Sequence, residues 1–130
     1  MAVYLTLQDV LDLHLATMEA TGSEPQPVRS LPGIESALMR GQTAGYYDGH
    51  DVIGQAARIA TGISRTQGFL DGNKRTTLAV TAVFLNLNGL RLTGDMLAGA
   101  KLLDALADPS VSDDEADHGF GAWLREHTAT

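Results

Sequence analysis

Five consecutive residues, Asp71, Gly72, Asn73, Lys74 and Arg75, place a carboxylate, a flexible backbone, an amide and two cations at the head of an apolar run. The chemistry this set suits is the binding of an anion, phosphate above all. Backbone N–H groups unpaired in a helix's first turn, with the positive end of its dipole, favour phosphate before any side chain takes part. Lys74 and Arg75 add charge-assisted hydrogen bonds. The plainer reading of the same residues is a solvated turn, since Asp-Gly is a common turn dipeptide and Lys-Arg commonly faces water.

The element that must position this group follows directly. Leu78 to Leu87 reads LAVTAVFLNL, polar only at Thr81 and Asn86. A helix apolar around its circumference belongs inside a protein, and this one falls short of the roughly 20 residues a membrane span needs. It is read as a central buried helix that holds the polar group rigid and ends at Gly89, a residue suited to the left-handed cap. Upstream, Val52, Ile53, Ala56, Ile59, Ala60 and Ile63 predict an amphipathic helix over Asp51 to Thr66, packed beside the central one and delivering Gln67 to the group. Phe69 is expected to anchor the intervening loop by burying its ring; Arg58 and Arg65 lie off the apolar stripe, and Arg65 is read as solvent-exposed, with contact to phosphate or a partner carboxylate as the alternative.

The remaining segments read as supporting helices. Thr6 and Asp9 form a variant capping box for a helix to about Ala20, with His14 as a hydrogen-bonded core residue. Pro25, Pro27 and Pro32 mark an irregular connection, a short helix covers Gly33 to Met39 and stops at Gly41, and Gln42 to Gly49 reads as an exposed loop that Tyr46 and Tyr47 anchor to the core, the alternative for this pair being a recognition surface. Thr93 is a cap for a helix over roughly Gly94 to Ala107 with Met96, Leu97, Ala100, Leu103 and Leu106 inward. Ser112 and Glu115 form a capping box for the last helix, with Ala116, Phe120, Trp123 and Leu124 inward. Asp113, Asp114, Glu115 and Asp117 read as complements to that helix's dipole rather than as a cation site.

Composition bounds the function. A 130-residue chain with 44% apolar residues suits one folded domain, residues 1–130, with its own core. The absence of cysteine excludes disulfides and thiolate metal sites, and the basic-then-apolar pattern of a leader is missing, so a cytoplasmic protein without a membrane role is expected. A net charge of −7 argues against direct nucleic-acid binding, whose affinity comes from basic groups displacing counterions.

QGFLDGNKRT, Gln67 to Thr76, resembles the signature loop of the Fic/Doc superfamily, His-x-Phe-x-(Asp/Glu)-(Gly/Ala)-Asn-(Gly/Lys)-Arg. Lys74, where adenylyltransferring Fic enzymes usually carry glycine, aligns the chain with the Doc (death-on-curing) branch. YLTLQDVLDLH from Tyr4, GIESAL from Gly33 and NLNGLRL from Asn86 are similar to the corresponding Doc segments, so the resemblance spans Tyr4 to Leu92. It implies an all-α, compact Fic/Doc-like helical fold around the central helix. It implies a toxin of a toxin–antitoxin pair that transfers phosphate from ATP or another nucleoside triphosphate to a hydroxyl of elongation factor Tu. Gly72, Asn73, Lys74 and Arg75 would hold the phosphates and Asp71 would orient or help bind Mg²⁺. The inhibitory Ser/Thr-x-x-x-Glu segment of many Fic enzymes is missing from the sequence, which implies restraint by a separate Phd-like antitoxin laid as a helix beside the loop.

One departure bears on catalysis. The family's catalytic histidine falls on Gln67, whose amide has no proton-accepting pKa near neutrality. Loss of a general base typically costs about 10²- to 10⁴-fold in rate. Three functional readings stand: an impaired phosphotransferase, an adenylyltransferase, and a catalytically silent module that binds antitoxin or target. Whether glutamine is natural or introduced here is open on the sequence.

Overall fold

The computed structural model describes residues 2–22, 31–66 and 73–130, with Asn73 described by its backbone alone. Among these run six helices, α1 (Leu7–Ala20), α2 (Leu31–Tyr47), α3 (Val52–Thr66), α4 (Asn73–Leu87), α5 (Met96–Leu106) and α6 (Asp113–Glu126). The fold is all-α, as expected. Its sole departure among the described residues is a stitch in which β1 (Arg91–Leu92) pairs antiparallel with β2 (Thr128–Ala129), flanked by Thr93 N–H donating to His127 C=O at 2.7 Å.

Local chemistry sets most helix ends. Thr6 Oγ1 accepts from Asp9 N–H at 3.1 Å while Asp9 Oδ2 accepts from Thr6 N–H at 2.9 Å, and Ser112 and Glu115 repeat this reciprocal arrangement at the head of α6. Each box satisfies donors that a helix start leaves unpaired. Gly89 adopts φ +82°, a left-handed conformation that closes α4 and lets Leu90 N–H reach Leu85 C=O at 2.9 Å. Asn88 then ties the end of α4 to the chain's start, accepting from Val3 N–H at 2.7 Å and donating to Val3 C=O at 2.9 Å and Phe84 C=O at 2.8 Å.

Three expectations are corrected. First, α2 does not stop at Gly41; it begins at Leu31, places Pro32 in its first turn where the missing N–H is tolerated, and continues to Tyr47. Gly41 is a packing residue, since a Cβ there would lie 2.5 Å from Ile59 Cγ1. Tyr46 and Tyr47 therefore end a helix and are 72% and 81% exposed, not tied to the core. Second, α5 is capped by Asp95, which accepts from Leu97 N–H at 3.0 Å, rather than by Thr93. The later start turns Met96 and Leu97 outward and leaves Gly99 and Leu103 facing in. Third, Arg65 is not a solvated side chain: it donates to Leu106 C=O at 2.6 Å and Val111 C=O at 2.7 Å and pairs with Asp113 at 3.1 Å.

The interior is shared by two helices. On α4, Thr76, Thr77, Leu78, Val80, Thr81, Phe84 and Leu85 are buried, while Leu87 surfaces at its end. On α3, Gly54 to Ala57 and Ile59 to Ser64 are buried, so this helix is enclosed on nearly every side by α2, α4 and α6. α1 and α5 cover the remaining sides of α4. No helix among the described residues is long and apolar enough to cross a membrane.

Candidate functional site at the amino end of the buried helix

The backbone of α4 starts at Asn73, and its first turn carries no acidic residue. Lys74 and Arg75 are both exposed there, and the next two residues, Thr76 and Thr77, are buried. Two cations at this end oppose the helix dipole, which favours negative charge. Their repulsion is partly offset by Asp104 on α5, to which no local pattern points and whose Oδ2 lies 2.6 Å from Lys74 Nζ. Arg75 makes no ion pair among the described residues. The turn is held from beneath by His14 of α1, whose Nδ1 lies 2.8 Å from Thr76 Oγ1, both residues being buried. This is the hydrogen-bonded core histidine expected from the sequence, and its place under the first turn makes it a support of the site.

Of the other residues nominated from sequence, Gln67, Asp71 and Gly72 lie outside the described residues, as does Phe69, and the side chain of Asn73 does too. The end of α3 shares a neighbour with this turn, the last residues of α5, since Arg65 contacts Leu106 and Lys74 contacts Asp104. The Arg65 guanidinium, donating to the C=O of Leu106 at the end of α5 and of Val111 in the α5–α6 connection, ties down the end of α3. Charge-assisted bonds to backbone carbonyls are among the stronger neutral–ion contacts, so this end is firmly placed.

A second network sits on the opposite flank of α3. Asp117 of α6, 4% exposed, accepts from Thr61 Oγ1 at 2.5 Å through Oδ1 and from Arg40 Nη2 at 2.7 Å through Oδ2, and Arg40 Nη1 also donates to Arg58 C=O at 3.0 Å. Asp117 thus locks α2, α3 and α6 together instead of serving the dipole of α6. Sequence reasoning missed this lock because its partners stand 77 and 56 positions apart. At the head of α3, Asp51 Oδ1 accepts from Gly54 N–H at 2.9 Å and both its oxygens engage Arg125 at 2.9 and 3.0 Å. The Arg125 guanidinium, assisted by the Gly54 amide against the opposing effect of burial, holds the Asp51 carboxyl below its ordinary value of 3.8 and is itself held more firmly protonated.

A buried helix thus presents two exposed cations at its amino end, with Asp104 and the Arg65 contacts of α3 close by along the same α5 segment. The family model described as the Fic/DOC family matches residues 4–85, which include α1 to α4 up to Leu85. The chain belongs to the Fic/DOC family. It is similar to the Toxin Doc of Mycolicibacterium smegmatis, 34% identical over 97 residues that make up 73% of this chain and 72% of that protein.

Proposed function

We propose that this protein is the toxin of a toxin–antitoxin pair, a Doc-like phosphotransferase whose chemistry is impaired at Gln67. The observation that carries the reading is the exposed Lys74–Arg75 pair on the first turn of α4, within the segment that matches the Fic/DOC family. These residues fit a nucleoside triphosphate: two cations stand where the dipole also attracts anions, and one of them has no counter-ion among the described residues. Lys74 and Arg75, with Gly72 and Asn73, would hold the phosphates, and Asp71 would orient Mg²⁺. When bound, Mg²⁺ neutralises charge on the transferring phosphate. Phosphoryl transfer depends chiefly on positioning and charge stabilisation, so such a cradle does most of the work, and the accepting hydroxyl, on elongation factor Tu in this reading, then needs a base. Gln67 holds that position and cannot take the proton near neutral pH.

A second reading is favoured by that same glutamine: a binding module that captures a Phd-like antitoxin or its target without turnover. Restoring the base separates the two. Target protein incubated with Gln67→His chain and Mg-ATP is expected to gain about 80 Da by mass spectrometry, while a gain of about 329 Da would instead assign AMP transfer. If neither adduct forms, although the variant is folded and binds nucleotide by calorimetry, the enzymatic reading fails and the silent module stands.

A further inference from the structure

A cleft of about 210 Å³ lies between the head of α3 and the middle of α6, away from the cations of α4. Its walls are His50, Gly54 and Arg58 on one side and Asp117, His118, Gly121, Ala122 and Arg125 on the other. Two of the nine Lys and Arg residues and two of the four His residues of a chain with net charge −7 face this one space. The one acid among the described residues that line it, Asp117, is buried and has both oxygens engaged by Thr61 and Arg40. Arg125 is shared with Asp51, outside the cleft lining. Arg58, half-buried, forms no ion pair among the described residues; its guanidinium donates to Gly54 C=O at 3.1 Å. Removing a guanidinium partly from water without a counter-ion is unfavourable, and the deficit here is one of negative charge.

Shape narrows the ligand. Gly54, Gly121 and Ala122 keep the space open, and a Cβ at Gly54 would already come within 3.1 Å of His50 Nδ1. The volume is below the roughly 300 Å³ at which sites for whole small molecules begin, and suits an oxyanion head. Arg58 and Asp117 also border an adjoining cleft of about 400 Å³ whose further lining includes Ser36, Thr43, Asp48 and Asp114. Hydroxyls and carboxylates there accept or exchange hydrogen bonds with a hydroxyl-rich body and repel a second anion.

We propose that the α3–α6 cleft is a second anion site that takes the phosphate of a small hydroxyl-bearing phosphate monoester, with Arg58, His50 and His118 on the phosphate and the body in the adjoining cleft. This site is independent of the reading made for α4. The ring signals of His50 and His118 in the full-length chain report on it directly. Ribose 5-phosphate, titrated at constant ionic strength, is expected to shift both rings saturably, and Arg58→Gln or Ala122→Glu to weaken that binding by about tenfold or more. Ala122 is exposed on α6, so the second variant introduces a competing carboxylate without disturbing the core. Arg75→Ala, which removes a cation at the other site, is expected to leave the shifts intact. Shifts no larger than sodium chloride produces, or shifts that survive unchanged in folded Arg58→Gln and Ala122→Glu proteins, would overturn the proposal. Inorganic phosphate binding as tightly as the ester would retain the phosphate cleft and overturn the role given to its neighbour.

Discussion

Lys74 is held by Asp104 at 2.6 Å, with both side chains substantially exposed, so a nucleotide phosphate bound there as proposed would compete with a carboxylate already in place. An exposed pair of this kind contributes at most about 1 kcal/mol, so Asp104→Asn is expected to tighten nucleotide binding by about threefold, and Lys74→Ala to weaken it by about tenfold, both read by calorimetry at low salt. Identical affinities in parent and Asp104→Asn proteins would show that Lys74 does not contact the nucleotide. Asp117 stands in a different regime because its carboxylate is buried. Asp117→Ala removes the acceptor of Thr61 Oγ1 and of Arg40 Nη2, and because Arg40 keeps Arg58 C=O, is one-third exposed and regains water, the expected loss is about 3 kcal/mol in urea unfolding. A loss under about 1 kcal/mol would mean that the three-helix lock contributes little.

At the scale of elements, the tightest seam is between α2 and α3. Gly62 faces Ala37, and an added Cβ would lie 2.8 Å from Ala37 Cβ and 3.1 Å from its Cα. Backbone cannot rotate away as a side chain can, so Gly62→Ala must separate the two helices. A cost of about 1 to 3 kcal/mol is expected in thermal and urea unfolding, outweighing the roughly 1 kcal/mol that alanine gains in a helix. Gly121→Ala is the contrast, with 3.6 Å to Ala57 Cβ, and is expected to be neutral or mildly stabilising. Glycine also explains why some elements were legible in the sequence and one was not. The caps at Thr6 and Ser112, the left-handed Gly89 and the apolar stripe of α3 are local patterns, each legible within a few residues of sequence. Gly41 and Gly45 resemble helix breakers in a sequence, yet they allow the side chains of Ile59 and Gln55 to seat against α2, a reason visible only once α3 is in place. The same holds for the site. The cations of α4 could be named from their order, but Asp104, and the carbonyls that hold Arg65, come from segments far along the chain.

Across the whole molecule, acid sensitivity has an identifiable contributor. Asp51 caps α3 and binds Arg125 of α6, and its carboxyl is held below the ordinary 3.8 mainly by that guanidinium. A depressed carboxyl adds stability that is complete above 3.8 and disappears as pH falls through the lower folded value. With both partners about half exposed, the pair contributes only about 0.5 kcal/mol, and salt reduces it. Asp51→Asn keeps a capable cap, so it is expected to be less stable than the parent by about that amount at neutral pH, with the gap closing below about pH 4. A gap that stays constant with pH would assign the loss to capping alone. Finally, the enclosure of α3 by α2, α4 and α6 means that no edge of it can open while its neighbours stay in place. Its amides should take up deuterium only when the entire chain comes apart, making α3 the slowest-labelled segment and a direct gauge of global stability.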